Sequence, residues 1–205
     1  MTSLARVDAP PPHLRVAPPP AKLDLARAEV AAAEFLDALG IDLENDGVRD
    51  TPARMTRAYA ELFSSPEFDL TTFPNAENYD ELVLARSIPV RSVCEHHLLP
   101  FIGVAHVGYL PGDRILGLSK LARVVEHFAA RPQVQERLTK QIAGWLQENL
   151  EPAGVGVVIE AEHTCMTVRG VRARGSTTVT STLLGTVRDD PRSRQEFFAL
   201  TRTGA

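Results

Sequence analysis

Two short segments hold both cysteines and three of the six histidines of this 205-residue chain. The first segment is C-E-H-H at 94–97 and the second is H-T-C at 163–165. Both lie in or beside apolar runs that predict strands, and residues two apart on a strand share a face. Taken together, the two segments favour a metal site over two incidental buried cysteines.

The spacing leaves two ligand sets open. On an extended strand, Cys94 and His96 point the same way; if the chain turns after Cys94, His97 replaces His96, as in the C-x-x-H spacing of zinc knuckles. Zinc accepts thiolate and imidazole ligands, four from the protein in a structural site and three plus a water in a hydrolytic one. Two cysteines and one histidine leave two further histidines to move protons, which favours a catalytic site.

Composition excludes several classes of protein. Lys and Arg number 22 against 26 Asp and Glu, and this net charge of −4 argues against a general nucleic-acid binder. No apolar run is long enough for a membrane span, and the N-terminus lacks the continuous apolar segment of a secretion signal. We therefore expect a cytoplasmic protein with no membrane partner. With so few cysteines, we expect no disulfide scaffold.

The chain divides into three predicted parts. Six of the 15 prolines fall within residues 10–20, so residues 1–22 are expected to form a disordered or polyproline-like tail rather than a Pro-rich ligand for a partner. Apolar spacing predicts a helix over 23–40 with Gly40 after its end, a second helix capped by Thr51, and a loop over 64–80. These segments make residues 23–80 an N-terminal helical region, and residues 81–205 the main domain.

The main domain alternates runs of strands with runs of helices. Helices are predicted from Ser119 as cap, from Pro132, and over 191–202. Strands are predicted over 82–97, 101–110, 155–163, 165–171 and 176–187. This order indicates an α+β fold with an antiparallel sheet.

Side chains rather than a glycine-rich loop would have to hold any phosphate, because the G-x-x-x-x-G-K-[ST] motif is absent. Ser119, Lys120 and Arg123 lie in the first turns of a predicted helix, where N–H groups and the helix dipole favour anions. Arg54 lies in the first turn of another helix, and Arg169 follows Cys165 by four residues. Taken singly, each cation is more simply explained as a solvated surface residue, and Gln135 and Glu136 as exposed helix residues.

Longer motifs surround these residues. They are S-V-C-E-H-H-L-L-P-F at 92–101, G-Y-L-P at 108–111, G-L-S-K-L-A-R at 117–123, R-P-Q-V-Q-E-R-L-T at 131–139, E-H-T-C-M at 162–166 and R-G at 169–170. Together with T-P-A-R at 51–54, they resemble the GTP cyclohydrolase I family over roughly residues 25–202.

The resemblance implies hydrolysis of GTP at C8 of guanine, which yields formate and 7,8-dihydroneopterin triphosphate for folate and pterin biosynthesis. It also implies the tunnelling fold, in which subunits pool antiparallel strands into a barrel with helices outside. Family members are typically homodecamers with sites at subunit interfaces, so we expect a homo-oligomer.

Carried over by position, the resemblance implies a set of site residues. Cys94, His97 and Cys165 would bind one Zn²⁺ per subunit, and His96 and His163 would serve in proton transfer. Gln135 and Glu136 correspond to guanine-reading positions. The triphosphate contacts correspond to Arg54, Ser119, Lys120, Arg123 and Arg169.

Three rival interpretations compete with this one. A structural-zinc protein would use His96 or His163 as a fourth ligand. The others are a related tunnelling-fold enzyme acting on pterins or deazaguanine precursors, and a catalytically silent paralogue.

Overall fold

The computed structural model describes residues 23–64, 67 and 69–202, so the tail predicted over 1–22 lies outside it. The strands are β1 Thr72–Pro74, β2 Val83–Cys94, β3 Pro100–Leu110, β4 Arg114–Leu116, β5 Pro132–Gln133, β6 Gly154–His163 and β7 Thr178–Gly185. The helices are α1 Leu25–Ala38, α2 Thr51–Leu62, α3 Leu118–Ala129, α4 Gln135–Leu150, α5 Thr164–Thr167, α6 Thr186–Asp189 and α7 Pro191–Thr201.

A five-stranded sheet of order β5-β2-β3-β6-β7 forms the centre of the fold. Its long strands pair antiparallel, and the two-residue β5 pairs in parallel with the end of β2. This arrangement confirms the predicted α+β class with an antiparallel sheet, and the N-terminal helical pair is present. Because β2 and β6 both run antiparallel to β3, their carboxyl ends meet where β3 begins.

Helices α3 and α4 cover one face of the sheet. The predicted apolar face of α3 is buried there, and so are Leu138, Ile142 and Leu146 of α4. On the opposite face, α7 inserts the fully buried Phe197 against β6. Gly156 makes room for that ring, since a Cβ at Gly156 would lie 2.6 Å from Cε2 of Phe197.

The first helix ends as its sequence predicts. Gly40 has φ +79°, and the N–H groups of Gly40 and Ile41 donate to the carbonyls of Asp37 and Leu36. This pair of bonds is the Schellman motif, which glycine favours because it lacks a Cβ. Along α1 only Ala32 and Leu36 are buried, whereas Val30 and Phe35 are 60% and 56% exposed.

Two predicted helix starts are wrong by one or two residues. Asp50 rather than Thr51 flanks α2, and Thr51 is its first helical residue, followed by Pro52. Gly117 rather than Ser119 flanks α3, which places Ser119 inside the first turn. Asp50 makes no side-chain capping bond, and Gly117 has no side chain that could make one. The hydroxyls of Thr51 and Ser119 were therefore misleading signals for the starts of α2 and α3.

Three other predictions need correction. Pro132 does not open a helix: it pairs with Val93 as part of β5, and α4 begins at Gln135. Residues 165–171 are not a strand: the pairing of β6 with β3 ends at the Phe101–His163 pair, and the chain then turns into α5. The predicted loop over 64–80 contains β1, which pairs with β4.

Across the described ranges, no helix combines the length and the apolar character that crossing a membrane requires.

Gly103 and Gly144 give a matched test of sheet packing. A Cβ at Gly103 would lie 1.9 Å from the carbonyl oxygen of Glu160, whereas a Cβ at Gly144 meets nothing within 4 Å. We expect Gly103→Ala to destabilise the fold by about 1–3 kcal/mol through overpacking. Gly144→Ala should stabilise it by about 0.5–1 kcal/mol, because alanine favours the helix. Urea unfolding midpoints measure both, and equal midpoints would refute the packing argument.

His106 on β3 is 3% exposed, and its Nδ1 accepts from the N–H of Ser87 at 3.4 Å. Burial lowers the pKa of His106, the charge of Arg86 lowers it further, and Glu160 opposes both. The unfolded chain therefore takes up this proton first on acidification, so stability is lost as the pH falls through about 6.5.

We expect His106→Gln to lose less unfolding free energy than the wild type between about pH 7.5 and pH 5.5. Urea unfolding at several pH values gives the two slopes. Parallel slopes would show that His106 does not contribute to the acid sensitivity.

Candidate metal centre and active site

The carboxyl ends of β2 and β6 bring the two Cys/His segments together. Cys94 is the last residue of β2, and Cys165 follows the end of β6 in the short helix α5. The start of β3 lies between them, with Val93 opposite Pro100 and Phe101 opposite His163. The hydroxyl of Thr164 donates to the carbonyl of Pro100 at 2.6 Å and so ties α5 to β3.

Cys94, His97 and Cys165 form one compact group. A thiol sulfur from each cysteine and one ring nitrogen of His97 all lie within 4.8 Å of one another. Both cysteines are buried and free of disulfides. Burial raises the pKa of the Cys165 thiol, the nearby Cys94 raises it further, and the charge of Arg169 acts in the opposite direction.

A turn after β2 distinguishes the two neighbouring histidines. The N–H of Leu98 donates to the carbonyl of Cys94, and the N–H of Cys94 donates to the carbonyl of Leu99, both at 2.8 Å. Nδ1 of His96 lies 3.8 Å from the sulfur of Cys94, and Nδ1 of His97 lies 3.9 Å from it. Of the two alternatives that the spacing left open, the structure groups His97 with both cysteines.

His163 lies beside this group in a fixed orientation. Its ring stacks on Phe101, with centroids 4.5 Å apart and planes 12° apart. Its Nε2 lies 2.7 Å from Oε1 of Gln135, the first residue of α4. Burial lowers the pKa of His163, and the neighbouring charge of Glu136 partly opposes that effect.

Gln135 and Glu136, both predicted site residues, differ in their surroundings. Gln135 is buried, whereas Glu136 is exposed at the start of α4. The structure therefore brings the carboxylate of Glu136 within electrostatic range of His163 while leaving it open to a ligand.

The predicted cations occupy several elements. Arg123 pairs with Glu126 at 3.6 Å on α3, and Arg54 pairs with Asp50 at 3.1 Å at the start of α2. Both pairs are exposed, and exposed pairs contribute only about 0–1 kcal/mol, so an anion can compete for these arginines. Ser119 is exposed and Lys120 is half-buried on α3, and the exposed Arg169 follows α5.

Sequence reasoning missed the residues that support the loop between β2 and β3, residues 95–99, which we call the metal loop because it carries His97. Arg137 of α4 forms an ion pair with Glu95 and donates to the side chain of Gln133 at 3.0 Å. The side-chain amide of the buried Gln133 donates to the carbonyl of Phe128 at 2.8 Å. The backbone carbonyl of Gln133 accepts from the N–H of Glu95. The hydroxyl of Tyr59 on α2 donates to the carbonyl of Leu98. The contacts of Glu95 with Arg137 and Gln133, and of Tyr59 with Leu98, join segments distant in the chain, so no local motif predicts them.

The donor set fits a metal ion. Two buried thiols and an imidazole are the ligands that zinc and related transition metals prefer. Three protein ligands are the number typical of catalytic zinc sites, whereas structural zinc sites have four. Together with the adjacent imidazoles of His96 and His163, this site has the composition expected of a hydrolytic enzyme that uses a metal ion.

Comparison with known proteins narrows that class. The family model described as GTP cyclohydrolase I matches residues 28–202. The chain is 55% identical to GTP cyclohydrolase 1 of Mycobacteroides abscessus, over 86% of this chain and 89% of that protein. It is 48% identical to GTP cyclohydrolase 1 of Rhodopirellula baltica, over 97% of this chain and 85% of the relative.

The same name belongs to a relative from a Hydrogenobaculum species, 50% identical over 82% of this chain and 92% of the relative. The chain belongs to the GTP cyclohydrolase I family and is an enzyme of that type.

Proposed function

We propose that this enzyme hydrolyses GTP at C8 of guanine with the help of a bound Zn²⁺. The products would be formate and 7,8-dihydroneopterin triphosphate, which serves folate and pterin biosynthesis. The observation that carries the proposal is the convergence of Cys94, His97 and Cys165 within 4.8 Å in a chain of this family.

Cys94, His97 and Cys165 would hold one zinc ion per subunit. A zinc ion bound there supplies Lewis acidity and lowers the pKa of a coordinated water towards neutrality. Glu95 and Arg137 support the proposal, because their ion pair anchors to α4 the loop that follows Cys94 and carries His97.

His96 and His163 would transfer protons around the imidazole ring of guanine. Protonation of N7 makes C8 electrophilic, and a second proton transfer accompanies the release of formate. Burial favours the neutral form of the His163 ring, which can accept a proton. The His96 side chain is 65% exposed in the loop that also carries His97, so it is open to a ligand.

Glu136 would recognise guanine, with Gln135 beside it. A carboxylate accepts hydrogen bonds from the N1–H and 2-amino groups of guanine, a donor pair that adenine lacks. The position of Glu136 supports this role, since it is exposed and acts electrostatically on His163.

Five residues would bind the ribose and triphosphate, and they share a positive charge or a hydroxyl. A triphosphate carries about three to four negative charges, so several cations are required to bind it. The residues are Arg54, Ser119, Lys120, Arg123 and Arg169.

We further propose that the chain assembles into a decamer with sites at subunit interfaces, in the cytoplasm. The outer edge of β7 and most of the outer edge of β2 carry no strand in the described part of the chain, which supports pairing between copies. The exposed Val30 and Phe35 of α1 supply apolar surface for further contacts. In this arrangement residues 81–205 form the catalytic domain, and Arg54 of the region 23–80 can serve a neighbouring subunit's ligand.

The proposed reaction is tested by incubating the purified protein with GTP and measuring formate and pterin fluorescence. We expect both products, their loss on chelation and their recovery on adding zinc.

His163→Ala should retain zinc yet lose formate release, because the proton acceptor is gone. A fully active His163→Ala would end the catalytic role of His163. If the wild-type protein carries zinc but yields neither product, the structural-zinc or silent-paralogue interpretation is supported.

The two adjacent histidines give a matched test of the ligand set. We expect His97→Ala and Cys165→Ala to lose bound zinc and activity, because each removes one of three ligands. His96→Ala should keep its zinc while turnover falls. Elemental analysis of the dialysed variants measures the stoichiometry. Zinc loss in His96→Ala would make His96 a fourth ligand and favour a structural site.

A further inference from the structure

We propose that Gln135 positions His163 by holding the ring proton on Nε2, so that Nδ1 carries the free lone pair. This inference rests on the proposed function of His163 and revises the guanine-reading role expected for Gln135. It makes Gln135 a positioning residue that acts through His163 rather than a residue that touches the substrate.

The orientation of the Gln135 amide follows from its partners. Its nitrogen lies 3.1 Å from the carbonyl oxygen of Ile159, 2.9 Å from that of Thr178 and 3.2 Å from Oγ1 of Thr180. Carbonyl oxygens only accept hydrogen bonds, so the NH₂ end of the amide has to face them. A flipped amide would set its oxygen against two other oxygens in a site where Gln135 is 2% exposed.

The proton position on His163 then follows. Oε1 of Gln135 faces Nε2 of His163 at 2.7 Å, and an amide oxygen can only accept. The ring therefore donates from Nε2. A neutral imidazole carries one ring proton, so Nδ1 of His163 is left as the acceptor.

Packing keeps this pair from rotating. The hydroxyl of Thr139 donates to the backbone carbonyl of Gln135 at 2.7 Å and lies 2.6 Å from Oγ1 of Thr180. On the other side, the His163 ring stacks on the fully buried Phe101. The ring is thus fixed by a stack on one face and by a hydrogen bond at one edge.

The same contacts separate the roles of the two neighbouring residues at the start of α4. Both N–H groups of the Gln135 amide point to acceptors of the protein, so they are not available to O6 or N7 of a purine. Glu136 is exposed and keeps the guanine-reading role. Gln135 therefore affects the chemical step, whereas Glu136 affects binding.

The experiment compares Gln135→Met with the control Gln147→Met, a half-buried glutamine on the same helix that has no bond to His163. With zinc content matched, Gln135→Met should lower kcat for formate release by about 10²-fold, within the 10²–10⁴ of a positioned acid or base, and leave KM for GTP unchanged. Gln147→Met should change neither. A raised KM with kcat retained would overturn the proposal and restore the guanine-reading role.

A double-variant comparison tests whether Gln135 acts only through His163. In His163→Ala, adding Gln135→Met should alter neither GTP affinity, measured by equilibrium dialysis, nor the residual rate. A further loss of either would contradict the proposal. Absence of formate from the wild type would instead refute the proposed function, which keeps the two failures distinct.

A measurement on the wild-type protein remains decisive if Gln135→Met does not fold. Long-range ¹H–¹⁵N NMR spectra report which ring nitrogen of a histidine is protonated, and the His163 signals are identified by their loss in His163→Ala. We expect the proton on Nε2. A proton on Nδ1 would overturn the proposal.

Discussion

The whole site depends on the antiparallel pairing of β3 with its two neighbours. Because β2 and β6 both lie antiparallel to β3, the thiol that ends β2 and the thiol just after β6 arrive at the same end of the sheet, although 71 positions separate Cys94 from Cys165. A shift of β2 by one residue would turn Cys94 to the other face of the sheet, and a shift of β6 would displace the start of α5 that carries Cys165. Val155, Val157, Ile159 and Ala161, every second residue of β6, lie in the same hydrophobic core as the buried residues of α3 and α4, and this packing opposes a shift.

At this end of the sheet, helix α4 contributes polar contacts to the site as well as buried apolar residues to the core. Its first turn supplies Gln135 beside His163, and the next residues supply Arg137, which anchors Glu95 in the metal loop. One helix start therefore fixes both the loop that carries His97 and the ring of His163. The tight turn between Cys94 and Leu99, with Leu98 at φ +52°, completes the arrangement.

The sequence predicted the parts of this arrangement that depend on local pattern. Strand and helix spacing located most elements, and the apolar face of α3 is buried as its spacing indicated. Local pattern failed at residues 165–171, because β6 stops pairing with β3 at His163 and the chain turns into α5, which a hydroxyl bond ties to Pro100. It also left His96 and His97 as alternatives, since the turn after Cys94 depends on bonds to Leu98 and Leu99. The support given by Arg137 and Phe101 joins distant segments, and spacing carries no information on it.

The anchor of Gln135 has a consequence for the protein as an assembly. Thr178 and Thr180, which hold the Gln135 amide, belong to β7, the strand at the rim of the sheet. A strand with one neighbour opens more readily than a strand with two. Fraying at the rim would release the amide and let the proton on His163 move between the two ring nitrogens. A copy of the chain paired along β7 would stabilise that strand and keep the Gln135 amide in place. Turnover at one active site would then depend on the presence of the neighbouring subunit.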